Sequence, residues 1–340
     1  MPTGKSKVAI LLPLSGPNSL LGPSMLNAAQ LAVFDAADNR FELMPRDTGA
    51  DPSEAAREAV AAGAKLIIGP LFANHVAAVK PIAQAADISV LALSTDTALA
   101  DQNVFVMGFA PAPQVERVVN YAHKNGLHNF AALIPEGAYG NLVAEAFRTA
   151  VERNGDNIIS LEIYNPGHLD GLTAVKNLAA QRESIDALFL PAGGDDLVSI
   201  VGQLASVGFT PGKPRLIGTG LWDVADLGHK ISFLDGGWFA APDPNARRNF
   251  TTAYVKAYGS EPPRLVTLAY DATALAATLA KKGGRFDRTA LTNPNGFAGV
   301  DGIFRLESAG LVERGLAVLE VTDVGGRVVD PAPVSFAVSP

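Results

Sequence analysis

Two successive α/β series, each a parallel sheet covered by helices, are what this 340-residue sequence predicts. Short uninterrupted apolar runs, such as residues 66–68 and 88–93, recur between stretches of helical spacing. Such runs suit parallel strands buried on both faces. Strand and helix signals alternate almost from end to end, the pattern of right-handed βαβ crossovers. Two proline-marked breaks, Ala110-Pro111-Ala112-Pro113 and Ala241-Pro242-Asp243-Pro244, interrupt the alternation. The stretches on either side repeat one α/β plan, which predicts two lobes with a cleft between them.

Taken in order, residues 8–12 form a strand, 13–23 a loop and 24–37 a helix. A short strand at 41–44 leads to an Ala-rich helix at 52–62, with Asp51 or Ser53 near its start as cap. Strand 66–68, helix 74–86 and strand 88–93 follow, then strand 104–107. Alternating prolines at 111 and 113 suit a linker rather than a helix or strand. The second series has helices at 114–125, 140–153, 172–181 and 195–207, and strands at 130–134, 158–163, 187–190 and 215–217. Residues 238–240 precede the second break; helices 247–258 and 266–282 follow it, then a glycine-marked segment at 299–304. Residues 316–322 and 327–329 flank Gly325-Gly326, a dipeptide suited to a tight hairpin turn.

The composition, 48% hydrophobic and 18% charged, is that of a well-packed globular protein. A net charge of −7 argues against a nucleic-acid partner, which wants a basic face. With no cysteine, disulfides, thiolate metal sites and Cys nucleophiles are excluded. No segment has the apolar length of a transmembrane helix. The polar residues 1–6 run straight into a strand without a signal peptide; read literally this means cytoplasm, but removal of an export signal gives the same start.

Signals for catalysis are missing. Lys213 is followed by Pro214, so the segment 208–213 lacks the spacing and the Ser/Thr of a phosphate loop. Gly218-Thr219-Gly220 follows a strand, but Asp223 stands where a dinucleotide fingerprint has its third glycine, and a plain turn accounts for it better. No G-x-S-x-G elbow is present. His75, His123, His128, His168 and His229 show no metal-ligand spacing, and His123 and His128 read as surface cations near a helix end. Asp195 and Asp196 could hold a magnesium ion, but acids opening a helix are more often caps favoured by its dipole. No enzymatic activity, cofactor or metal site is expected.

Binding has better candidates. The helix after Gly69-Pro70 offers unpaired N–H groups around Ala73 and Asn74, an end that favours a carboxylate or other anion. Ser94, Thr95 and Asp96 close the neighbouring strand, as ligand contacts or as a cap for the next turn. In the second series, Tyr139 opens a helix where it can stack on a ligand, donate its hydroxyl or pack on the surface. Asp196 and Asp223 lie at later strand-to-helix junctions suited to pairing an ammonium group. Trp222 is either an apolar wall or core.

These motifs carry a resemblance across essentially the whole chain. Val8-Ala9-Ile10-Leu11-Leu12-Pro13-Leu14-Ser15-Gly16-Pro17, Ile67-Ile68-Gly69-Pro70, Val90-Leu91-Ala92-Leu93-Ser94, Tyr139-Gly140, Ala269-Tyr270-Asp271-Ala272 and Gly299-Val300-Asp301-Gly302 resemble, in order and spacing, the type I periplasmic binding proteins of the leucine/isoleucine/valine-binding branch. The resemblance implies two Rossmann-like lobes, 6–111 with 243–310 and 112–242 with 311–340, joined by a three-crossing hinge at 110–113, 241–244 and 308–313. It implies a periplasmic protein that holds a small polar ligand, an amino acid or related compound, for an ABC transporter permease. Here the family's first ligand serine falls at Ala73 or Asn74 and its ammonium-pairing acid near Gly220 or Leu221, with Asp223 or Asp196 as substitute. Gly69-Pro70-Leu71, Asn74-His75-Val76 and Val312-Glu313-Arg314-Gly315-Leu316 are also similar to the penicillin-binding protein activators. That subfamily implies an outer-membrane lipoprotein that contacts a peptidoglycan synthase. A ligand-sensing domain of a transcription regulator fits less well, as no DNA-binding helices precede the fold.

Overall fold

The computed structural model describes residues 5–36, 40–168 and 173–336. The chain opens with β1 (Ser6–Leu12), α1 (Gly22–Ala36), β2 (Phe41–Asp47), α2 (Pro52–Ala61), β3 (Leu66–Ile68), α3 (Ala73–Ala85), β4 (Ser89–Ala92) and β5 (Val104–Val106). It continues with α4 (Pro111–Lys124), β6 (Asn129–Pro135), α5 (Ala138–Asn154), β7 (Asn157–Tyr164), α6 (Thr173–Ala180), β8 (Ala187–Phe189), α7 (Gly194–Ser206), β9 (Arg215–Gly218), α8 (Leu227–Lys230) and β10 (Trp238–Ala241). Next come α9 (Arg248–Tyr258), α10 (Val266–Lys281), α11 (Arg288–Leu291), β11 (Phe297–Gly299), β12 (Gly302–Leu306) and β13 (Val312–Arg314). The last two strands are β14 (Ala317–Thr322) and β15 (Gly325–Asp330). These elements form two compact units: unit 1 takes the residues up to 110, 244–315 and those from 334 on, and unit 2 takes 111–243 and 316–333.

Unit 1 is built on a parallel sheet of order β2-β1-β3-β4-β5. Strands β1, β3, β4 and β5 carry apolar runs because both faces are covered, whereas the edge strand β2 is mixed and only partly buried. One face packs Val8, Ile10 and Leu12 against α1 and α10, and the other packs Ala9 and Leu11 against α2 and α3. Helix α2 starts where expected, since Asp51 Oδ1 accepts from the N–H groups of Ser53 (2.8 Å) and Glu54 (3.2 Å). Helix α10 is apolar nearly all round and buried accordingly, with α1 packed along it.

A small antiparallel sheet, β11-β12-β13, completes unit 1 and covers a buried ionic group. Arg314, 5% exposed, donates from Nη2 to the Met107 carbonyl at 2.7 Å. Its guanidinium lies 4.8 Å from the Phe109 ring and 3.8 Å from Asp271 Oδ2. Asp271 accepts from the Val300 N–H at 2.7 Å, while Asp301 pairs with Arg264 at 3.1 Å. Burial, then the nearby Asp301, pushes the Asp271 carboxyl up to about 7, against the pull of Arg314.

Unit 2 has the sheet order β15-β14-β10-β9-β8-β6-β7. The strands from β10 to β7 run parallel, while β14 and β15 are antiparallel additions at one edge. One face packs against α6, α7 and α8, and the other against α4 and α5.

Three local expectations need correction. Pro111 and Pro113 do not keep the chain out of a helix; they form the first turn of α4, where a missing N–H has no intrahelical partner to lose. Residues 308–313 are no passage between units, because β13 pairs with β12 and the chain leaves unit 1 only after Gly315; residues 311–315 therefore belong with unit 1. The last hairpin turns at Asp323-Val324, with Thr322 opposite Gly325, so Gly325-Gly326 opens the strand instead of making the turn. Residue 37 of the first expected helix and residue 172 of the helix expected at 172–181 lie outside the described residues.

Candidate functional site

In a parallel α/β sheet the strands deliver their loops to one edge, and ligands bind at that carboxyl edge. In unit 1 the loops after β1, β3 and β4 line a cavity of about 520 Å³ together with the start of α10. Its polar part consists of Asn18, Ser94, Thr95 and Asp96; its remaining walls are apolar, including Leu21, Leu71, Leu93 and Leu268. The β1 loop is shaped by Asp47, whose Oδ1 accepts from the N–H groups of Leu14 (2.9 Å), Ser15 (3.2 Å) and Gly49 (2.8 Å). Burial opposes ionisation of Asp47, but these bonds and the Ser15 hydroxyl outweigh it and hold the carboxyl below its ordinary range.

Ala73, the first residue of α3, borders the cavity. Phe72 precedes it as N-cap without a side-chain hydrogen bond, so the first N–H groups of the helix are left for solvent or an anion. Asn74 is exposed and lies outside the cavity lining. His75 stands edge-on to Phe72 at 5.4 Å, and burial lowers its pKa, which keeps positive charge away from this helix start at neutral pH. Ser94 is buried; its Oγ accepts from the Asp96 N–H at 3.1 Å, which leaves the hydroxyl proton to donate. Thr95 is exposed, and Asp96 Oδ1 caps the following short turn by accepting from the Ala98 N–H at 3.1 Å. The structure thus brings Ala73, Ser94, Thr95 and Asp96 to one cavity, with Asp96 already engaged as a cap.

Unit 2 gathers a different group at the carboxyl edge of its sheet. Tyr139 sits in the first turn of α5, and its hydroxyl lies 3.2 Å from Thr219 Oγ1 in the turn after β9. Burial raises the Tyr139 pKa, with the Thr219 hydroxyl acting in the opposite sense. Tyr164, the last residue of β7, is pushed up to about 12 by burial and by the charge of Asp196 nearby in the first turn of α7. The Gly220 N–H donates to Gln114 Oε1 at 2.7 Å, which ties this turn to α4. Sequence reasoning missed Gln114, Tyr164 and Thr219. Tyr164 closes an otherwise ordinary strand, and the other two acquire meaning only once the fold brings α4 and the start of α5 to the turn after β9. Asp223 is half-buried at the end of the same turn.

Trp222 does not serve as a ligand wall. It is 1% exposed in the unit 2 core, and its Nε1 donates to the Ala192 carbonyl at 3.1 Å. The indole lies over Gly218, where a Cβ would come within 2.3 Å of the ring. That contact, rather than a dinucleotide, explains the glycine after β9. Gly140 is required in the same sense, since a Cβ there would stand 1.6 Å from the Pro135 carbonyl oxygen. The histidines also need correction: the fold brings His123 and His128 together on Asp156, a residue too distant in sequence for spacing to reveal.

Comparison with known proteins agrees with this architecture. A family model described as periplasmic binding protein matches residues 5–327. A penicillin-binding protein activator LpoA of Mannheimia succiniciproducens is 29% identical over 61% of this chain and 36% of its own length. The Leu/Ile/Val-binding protein homolog 3 of Brucella melitensis is 25% identical over 50% of each chain. Both matches span half or less of those relatives. Among solved structures, a putative branched-chain amino acid ABC transporter from Rhodospirillum rubrum superposes with a TM-score of 0.84, covering 96% of this chain and all of that one at 19% identity. This last likeness speaks for the fold alone. With a two-unit α/β fold of this type and a family match over nearly its whole length, the chain belongs to the periplasmic binding protein family.

Proposed function

We propose that this chain is a periplasmic solute-binding protein that captures a small ligand with an anionic head and an aliphatic body, an amino acid or related compound, for an ABC importer. The unit 1 cavity carries this reading: a polar corner made by Ser94, Thr95 and the uncapped start of α3 opens onto leucine walls. The neutral donors suit a carboxylate, and the leucines suit a short apolar side chain. The Leu/Ile/Val-binding relative supports that ligand class. We take unit 2's Tyr139, Tyr164 and Asp196 as a second candidate contact surface, with Asp196 the group suited to an ammonium.

A thermal-shift screen over leucine, isoleucine, valine, acidic amino acids and small carboxylates tests the proposal, followed by calorimetry on any hit. Ser94→Ala and Thr95→Ala should each weaken a detected affinity. Unchanged affinity in both variants would displace the site from this cavity.

A second reading, regulation of peptidoglycan synthesis by contact with a synthase, is favoured by the activator relative. It is also favoured by Ala73, which brings no hydroxyl to the site, and by the Tyr139 hydroxyl, already engaged with Thr219. Retention of a peptidoglycan synthase on the immobilised chain, with no thermal shift from any small molecule, would support this reading and sink the first.

A further inference from the structure

Ligand capture leaves one cluster of unit 2 unused. His123 stands in the last turn of α4, His128 immediately precedes β6, and Asp156 lies between α5 and β7. All three therefore lie at the amino edge of the sheet. The seven residues of β6 separate them from the Tyr139 end, roughly 20 Å at the rise of an extended strand. The Asp156 side chain is 3% exposed, whereas those of His123 and His128 are 35% and 53% exposed. His128 Nδ1 lies 2.7 Å from Asp156 Oδ1, and His123 Nδ1 lies 2.9 Å from Oδ2. The two imidazoles meet edge to face with centroids 5.2 Å apart.

A buried carboxylate needs a counter-charge, and buried charges are paired or coordinate metals. Among the described residues, the ion-pair partners of Asp156 are these two histidines, and a neutral imidazole donates a hydrogen bond but supplies no full charge. The donor atoms of the three side chains all fall within 4.8 Å of one another. A tetrahedral zinc ion with bonds of 2.0–2.1 Å keeps its ligands about 3.3 Å apart. The nitrogen–oxygen spacings of 2.7 and 2.9 Å widen to that value by a small outward movement of two partly exposed rings, and the two imidazole nitrogens already lie within 4.8 Å of each other. The backbone at His128 is already fixed, since its N–H donates to Asp186 Oδ2 at 3.1 Å and its carbonyl accepts from the Asn157 N–H at 2.9 Å. These bonds fix the chain position from which the His128 ring projects.

We propose that His123, His128 and Asp156 bind one divalent transition-metal ion, with zinc the best-suited, and that water fills the solvent-facing position. Two imidazoles and one carboxylate form a donor set that suits zinc, nickel or copper and disfavours magnesium and calcium. The ion takes the place of the Nδ1 protons that now face Asp156, and each neutral imidazole then carries its single ring proton on Nε2. It would clamp the α4–β6 turn to the α5–β7 turn, independently of any ligand in unit 1.

The test uses the full untagged chain, stripped with chelator and desalted, then titrated calorimetrically with zinc chloride. We expect a saturable one-to-one isotherm, a rise in melting temperature with zinc and none with magnesium. His123→Gln and His128→Gln should each lower zinc affinity by about tenfold or more. His229→Gln should leave it unchanged, and melts in chelator should show the variants folded. Absence of saturable binding overturns the proposal, as does binding that survives in the His123→Gln/His128→Gln double variant.

Discussion

Replacing Arg314 by Met should be among the most damaging single changes in unit 1. The substitution removes the hydrogen bond from Nη2 to the Met107 carbonyl, a charged donor worth about 1.5–3 kcal/mol. It removes the stacking of the guanidinium on Phe109, worth about 1 kcal/mol. It also leaves Asp271 buried without its nearest cation, the situation in which breaking a buried pair costs about 3–5 kcal/mol. The first two contributions lie inside that range, so we expect a loss of about 4 kcal/mol. Urea unfolding followed by far-UV circular dichroism measures it. Trp222 and Trp238 both belong to unit 2, so tryptophan fluorescence reports that unit separately. The loss should depend on pH in a definite direction. Asp271 already has a folded pKa raised to about 7, so its protonated form is favoured in the native state and stability falls as pH rises from the unfolded carboxyl range towards 7. Removing Arg314 removes a group that lowers this pKa, so wild type and variant lose stability in parallel while Asp271 stays protonated in both, and the deficit grows as pH rises through about 7. Asp271→Asn in the same chain should recover part of the loss. A deficit below about 1 kcal/mol, or one that shrinks as pH rises, would refute the reasoning.

Other expectations follow from single contacts. Gly140→Ala drives a Cβ into the Pro135 carbonyl and should cost about 3 kcal/mol in unit 2, read as an earlier fluorescence transition in urea. Trp222→Ala empties a core position and leaves the Ala192 carbonyl without its donor; about 3–5 kcal/mol should be lost, measured by circular dichroism. Asp47 has a depressed folded pKa, so its contribution is present above the unfolded carboxyl range and lost as pH falls through the folded value; the stability gap between wild type and Asp47→Asn should narrow as pH falls below the ordinary carboxyl range. Tyr139→Phe should cost about 1 kcal/mol if the Thr219 contact is a structural hydrogen bond, and equal stability would show the hydroxyl free for other use.

Much of the architecture was legible because parallel strands and their covering helices write separate periods into the sequence. The apolar run at 66–68 became β3, and the helical spacing after it became α3. The acid before the Ala-rich stretch at 52–62 proved to be a cap on Asp51. Proline was misread where position mattered more than identity: Pro111 is an interruption in mid-helix but an ordinary first-turn residue in α4. The small sheet over Asp271 was invisible because its strands are three to five residues long and pair in ways no local pattern announces. At the site, Ser94 and Thr95 were readable as polar residues closing an apolar strand. Trp222 was ambiguous by nature, since a large amphipathic ring after a strand fits core or ligand equally until Gly218 is seen beneath it. The His123–His128–Asp156 cluster depends on two turns meeting at the same sheet edge, which is a tertiary fact.

The order in which the chain visits its units has a consequence for biosynthesis. Helix α1 must wait for α10, more than two hundred residues later, before its apolar face is covered, and β10 must wait for β14. A nascent chain that has emerged only as far as Ala241 therefore carries most of two sheets and completes neither core. A ribosome stalled there would display both unfinished faces to chaperones and proteases. The segments after Ala241, α9 to β14, close both cores, so premature termination before β14 should eliminate the whole protein rather than leave one folded half.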